Sequence, residues 1–160
     1  MTMDQTIDRR LFLASVGAAA AAGLVGTAGA VFTPTQFLMW HAPGCGCCLE
    51  WARQMGVALG RKLPVIEAPN LAAIKRARGV PEDLQSCHTA IVAGYVIEGH
   101  VPPADIKRLM KSGSRTVRGL AVAGMPHGSP GMETHDHLKQ PFKVIAFAAN
   151  GRRAVYASHA

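Results

Sequence analysis

Three thiols crowd into one turn at Cys45-Gly46-Cys47-Cys48, and the only other cysteine, Cys87, lies far downstream in Ser86-Cys87-His88-Thr89. One buried cysteine packs as a small hydrophobe, but three within four residues point to redox chemistry or a soft metal. Thr35–Trp40 before the turn reads as a strand and Leu49–Leu59 after it as a helix. The thiols are therefore expected at a strand-to-helix junction, where helix N-terminal amides favour thiolate over thiol.

The first thirty residues have a different character. Asp8-Arg9-Arg10-Leu11-Phe12-Leu13 precedes an Ala/Gly-rich stretch from Ala14 that ends Ala28-Gly29-Ala30. A charged region, an apolar region and a small-x-small site, in that order, are the pattern of a cleaved secretory signal. The paired arginines and the weakly apolar core resemble a twin-arginine export signal. Asp8 stands where serine or threonine is usual, and Ala14 where lysine is usual. Residues 1–30 are assigned to export and residues 31–160 to the mature domain. Cleavage after Ala30 is expected to leave Val31 first, in a compartment where disulfides persist. The alternative is an uncleaved anchor, since Leu11 to Phe32 is long enough to span a bilayer, and this would be the chain's one membrane contact.

The net charge of +7 is dispersed, without a dense Lys/Arg run or interleaved aromatics, which argues against a nucleic-acid groove. Leu49, Ala52, Met55 and Leu59 fall at helical spacing, with Gly60 as the stop. Leu63–Ala68 reads as a second strand, and Asn70 as the N-cap of a helix through Arg78, closed by Gly79. Thr89–Ala93 and Val96–His100 flank a two-residue turn read at Gly94-Tyr95. Pro102-Pro103 opens a helix carrying Ile106, Leu109 and Met110, ended by Gly113. Val117–Pro141 reads as one long loop, and Phe142–Ala148 with Arg153–Ala157 as a terminal hairpin about Asn150-Gly151 that clamps it. Alternating strands and helices with Cys-x-x-C on the first helical turn predict an α/β, thioredoxin-like sheet with flanking helices, extended by a C-terminal loop and β-hairpin.

In such a fold the segment entering the third strand passes the Cys-x-x-C turn, so Cys87 is expected to face the other three thiols. Thioredoxins place a cis-proline at about the position of His88. That substitution frees His88 to act as ligand or proton acceptor and weighs against ordinary disulfide exchange. Four soft donors suit Cu(I), zinc or iron–sulfur centres. Met125 and Met132, each between turn-forming neighbours rather than on a periodic apolar face, add thioethers that favour Cu(I). His41 and His127 are secondary candidates. His135-Asp136-His137 reads as a solvated loop, His100 as structural, and His159 as a disordered tail. Trp40 and Trp51 read as core, and neither Glu98 nor Glu133 shows a paired-carboxylate arrangement. Zinc knuckles and plant-type clusters use other cysteine spacings.

The segments Cys45–Cys48, Ser86–Ala90, Gly94–Pro102 and Gly124–Glu133 together resemble the CopG-type proteins, which are small periplasmic thioredoxin-like metal-binding proteins associated with bacterial copper resistance. The resemblance runs from about Thr35 to Tyr156. It implies an exported protein holding Cu(I), singly or as a multinuclear cluster, on Cys45, Cys47, Cys48 and Cys87 with His88, Met125 and Met132 nearby. It also implies a role in copper redox conversion and, as partners, other periplasmic copper-handling proteins. His127 stands where that loop is often apolar. Whether the chain turns over as an enzyme stays open. The rival reading is a periplasmic thiol–disulfide oxidoreductase using Cys45 and Cys48, with Cys47–Cys48 ranked below them as a pair because a vicinal disulfide closes a strained ring.

Overall fold

A computed structural model of the chain describes residues 36–136 and 138–160, so the export segment, the Val31 terminus and His137 lie outside the described residues. Among the described residues seven strands form one mixed sheet with spatial order β2-β1-β3-β4-β5-β6-β7. The strands are β1 (Phe37–His41), β2 (Val65–Glu67), β3 (His88–Val92), β4 (Tyr95–Glu98), β5 (Gly119–Ala121), β6 (Phe142–Phe147) and β7 (Arg153–His159). Connecting them are the helices α1 (Gly46–Leu59), α2 (Leu71–Arg78) and α3 (Pro103–Ser112). β1 and β2 run parallel, as do β4 and β5, and the remaining neighbours are antiparallel. Among the described residues no helix is long and apolar enough to cross a membrane.

Apolar side chains divide over the two faces of the sheet. Met39, Ala90 and Ile97 pack with Trp51 and Met55 of α1 and Ile106 and Leu109 of α3. Ile91, Val96, Ala121 and Phe147 form a second cluster with Val80 and Leu84. Trp51, Met39, Met55 and Ile106 are fully buried, each contributing about 1.5–3 kcal/mol by transfer from water. All three helices end as the sequence predicts, on left-handed glycines at Gly60, Gly79 and Gly113, and the Asn70 side chain accepts from the Ala73 amide at 3.2 Å.

Four expectations are corrected. Helix α1 begins at Gly46 rather than Leu49, with Cys45 at its N-cap, and Cys47 and Cys48 lie in its first turn as the Cys-x-x-C reading expects. The hairpin turn is Ala93-Gly94, because Val92 pairs with Tyr95. Ala93 takes φ 50° and Gly94 φ 84°, the positive pair that a tight turn matched to strand twist requires. The Val117–Pro141 segment is not wholly loop: Gly119–Ala121 forms β5 and joins β4 to β6, so the terminal hairpin extends the sheet instead of only clamping a loop. Finally, His159 is no loose tail. It closes β7, stacks on Phe142 and meets Asp105 at 2.7 Å.

Candidate metal centre

The sheet brings the two cysteine segments together. β1 ends at His41, opposite His88 at the start of β3. The chain turns at Ala42–Gly44 directly into α1, while Cys87 enters β3 alongside, and the Ala42 amide donates to the Cys87 carbonyl at 3.4 Å. The sulfurs of Cys45, Cys47, Cys48 and Cys87 accordingly lie within 4.8 Å of one another. Cys45 and Cys48 are joined as a disulfide, and Cys47 and Cys87 are free thiols. Cys47 Sγ stands 3.5 Å from Cys45 Sγ, and Cys48 Sγ is 3.7 Å from the Cys87 carbonyl oxygen.

A second donor group shares Cys87. Its sulfur is 3.0 Å from His100 Nε2 and 3.5 Å from His88 Nδ1, and one donor atom from each of the three residues lies within 4.8 Å of the others. His100 Nδ1 lies 2.8 Å from the Pro130 carbonyl. A carbonyl only accepts, so Nδ1 carries the proton and Nε2 turns its lone pair toward Cys87. That is how an imidazole is set up as a metal ligand. His88 is fully buried, with its ring centroid 4.5 Å from that of Trp51, and among the described residues its Nε2 finds no hydrogen-bond partner. A buried polar atom without a partner costs about 1–3 kcal/mol.

Burial shapes the charges here. It holds the His88 imidazole well below its ordinary pKa, aided by the neighbouring His100 and Lys75, and it lowers His100 as well. Burial, reinforced by the adjacent Cys47, pushes the Cys87 thiol up to about 11. At neutral pH the pocket therefore presents neutral imidazoles and a protonated Cys87 thiol, which must release its proton to bind a soft metal.

The Gly/Pro/Met loop covers this turn. Gly131, at φ 83°, packs on α1 so closely that an added Cβ would sit 2.7 Å from the Cys47 carbonyl and 2.9 Å from the Trp51 amide. Met132, half-buried, follows directly, and its amide donates to Ser129 O at 2.8 Å. Glu133 ties the loop to α1 by accepting from Gln54 at 3.0 Å and from the Gly131 amide at 2.8 Å. Met125 is about half exposed, on a turn held where the Ser86 hydroxyl donates to Gly124 O at 2.5 Å.

Of the sequence candidates, the four cysteines and His88 converge, Met132 follows Gly131 on the loop that packs on α1, and Met125 lies toward solvent. His41 is buried next to the turn, with Nδ1 2.7 Å from Ala42 O, while His127 and His135 are exposed. His100, read from sequence as structural, is in the pocket. Trp51 is core as expected, and its indole also donates to Val101 O at 2.9 Å. Glu98 does have a charged partner, the buried Lys75.

Residues 84–132 match the family described as "Protein of unknown function, DUF411". No curated protein matches the chain. Two solved structures of copper resistance protein copG are similar to it over nearly their whole length. Form 2 shares 35% identity at a TM-score of 0.71, covering 78% of this chain and 97% of that one. Form 1 shares 36% identity at a TM-score of 0.71, covering 77% of this chain and 95% of that one. With its cysteine cluster on the common scaffold, the chain belongs to the CopG family of copper resistance proteins.

Proposed function

We propose that this protein binds Cu(I) at the four-sulfur centre, sequesters it as a contribution to copper resistance, and couples thiol oxidation to copper redox change. The observation that carries the reading is the convergence of Cys45, Cys47, Cys48 and Cys87 within 4.8 Å from two distant segments. Thiolates select Cu(I), and the adjoining Cys87, His88 and His100 group adds imidazole donors that also suit Cu(II). Met132 and Met125 are the supplementary thioethers. Closing the Cys45–Cys48 disulfide releases two electrons and two protons, enough to reduce two Cu(II) ions to Cu(I). With that bond closed only Cys47 and Cys87 are free to ligate, so reduction restores the full donor set.

The β2-β1-β3-β4 order, with Cys-x-x-C opening α1, supports a thioredoxin-like core to which β5–β7 are added. The paired arginines and Ala28-Gly29-Ala30 support export by a twin-arginine-type signal, processing after Ala30 and work in the periplasm. The test is anaerobic Cu(I) titration of the reduced protein against Cys47→Ala and Cys87→Ala. Each substitution is expected to lower stoichiometry or affinity, and unchanged values for both would end the copper reading.

The closed Cys45–Cys48 pair at a helix N-terminus supports a second reading, a periplasmic thiol–disulfide oxidoreductase. There the closed pair would oxidise a substrate dithiol as Cys45 and Cys48 become thiols, and, once reduced by an external dithiol, the same two thiols would pass two electrons to a substrate disulfide and close again. Insulin reduction at a thioredoxin-like rate would favour it over copper handling.

A further inference from the structure

We infer that Glu98, held in place by Lys75 and Thr89, positions Cys87: its side-chain oxygen clamps the backbone that presents this thiol. The inference concerns where Cys87 is held and stands whichever ion or partner the sulfur meets. Lys75, in the last turn of α2, is 4% exposed and Glu98, at the end of β4, is 0% exposed. The Lys75 ammonium donates to Glu98 Oε1 and, at 3.0 Å, to Thr89 Oγ1. Thr89 Oγ1 donates in turn to Glu98 Oε2 at 2.7 Å. Taking such a pair out of water costs several kcal/mol per ion, and well-packed apolar residues usually do as well for stability.

The remaining contact points to a role for the expense. Glu98 Oε1 also accepts from the backbone N–H of Ser86 at 2.6 Å. Ser86 lies just before β3, outside the sheet ladder, so Glu98 gives its amide the partner that a neighbouring strand would otherwise supply. The same residue donates its hydroxyl to Gly124 O at 2.5 Å. Gly99 makes room for this junction, since a Cβ there would meet Val122 O at 2.5 Å and the Ser86 Cβ at 2.7 Å. Ser86 is thus gripped by its amide on one side and its hydroxyl on the other, one residue before Cys87. A carboxylate acceptor gives a charge-assisted bond about twice as strong as a neutral one, and so a stiffer anchor.

The test uses the full chain, metal-free, with the Cys45–Cys48 disulfide intact so that only Cys47 and Cys87 alkylate. Site-resolved iodoacetamide rates, read by peptide mass spectrometry, are compared for Lys75→Met/Glu98→Leu and Lys75→Met/Glu98→Gln. Both remove the two charges together, but only the glutamine keeps an oxygen for the Ser86 amide. The leucine variant is expected to raise the Cys87-to-Cys47 rate ratio at least about tenfold, and the glutamine variant to stay within about twofold of wild type. Equal ratios in all three proteins, or an equal rise in both variants, would overturn the assignment. Should circular dichroism show the leucine variant unfolded, Ser86→Pro removes the same N–H, and the extended Gln85 (φ −66°, ψ 144°) accommodates a following proline. Set against Ser86→Ala, which keeps the N–H, the same rise is expected, and no difference between the two would equally refute it.

Discussion

Two clusters of buried polar side chains sit next to each other at the β3–β4 hairpin, and they are finished differently. In the Lys75–Glu98–Thr89 cluster the carboxylate oxygens, the Thr89 hydroxyl and the Ser86 amide all find partners inside the protein. In the cysteine–histidine cluster Cys87 Sγ lies near Cys47 Sγ on one side and His100 Nε2 on the other, and among the described residues Nε2 of His88 has no hydrogen-bond partner. A fold that pairs its polar groups so fully on one side has the means to pair them on the other. An imidazole nitrogen left unpaired beside converging sulfurs, at an energetic cost, marks where something from outside is bound. The closed cluster holds the scaffold that presents the Cys87 thiol, and the open one is where a ligand is met.

That contrast can be broken experimentally, and the largest effect is expected in the open cluster. Cys87→Ala removes the sulfur common to both donor groups and should weaken Cu(I) binding by more than about a hundredfold, beyond what loss of an outer-shell partner produces. Competition against a chelating indicator measures it, and denaturant unfolding of the metal-free variant should be nearly unchanged.

Lys75→Ala should do the opposite. It leaves Glu98 buried and unpaired, costing about 3–5 kcal/mol of unfolding free energy, while the count of titratable free thiols stays the same. A loss below about 1 kcal/mol would mean that the pair is wetter than its burial indicates.

A smaller effect is expected from His100→Gln. It disturbs the Pro130 anchor and the nitrogen facing Cys87, and should weaken copper binding about tenfold with little change in stability. The smallest is a pH effect. Burial holds His88 below its ordinary pKa, so in acid the unfolded chain takes up a proton that the folded one refuses. Stability should therefore fall as pH drops through the ordinary histidine range, near 6.5, and His88→Gln should flatten that part of the profile.

Much of the open cluster was legible in the sequence, because cysteine chemistry is local and Cys-x-x-C at a strand–helix junction is distinctive. His88 was found by its adjacency to Cys87. His100 was not, and the reason is register. With the turn read at Gly94-Tyr95, Ala93 faces Val96, and counting back sets Cys87 opposite Pro102. The actual Val92–Tyr95 pairing, continued by the Gly99 amide donating to His88 O at 3.0 Å, sets Cys87 opposite His100. A one-residue slip in a turn reassigns every cross-strand neighbour. Propensity concealed the true turn, since alanine at positive φ is uncommon.

The closed cluster was illegible for a different reason. Lysine on a helix is ordinarily solvated, and nothing local in Leu71–Arg78 ties Lys75 to a glutamate on a later strand. β5 escaped notice because three residues flanked by loop show no alternation, and its partners β4 and β6 define it.

X-ray absorption at the copper edge of the Cu(I)-loaded protein tests the central claim most directly. The account predicts a first shell dominated by sulfur in the reduced wild type, with sulfur scattering diminished in Cys87→Ala. A shell of nitrogen and oxygen donors that is the same in wild type and Cys87→Ala would place the metal elsewhere and contradict it.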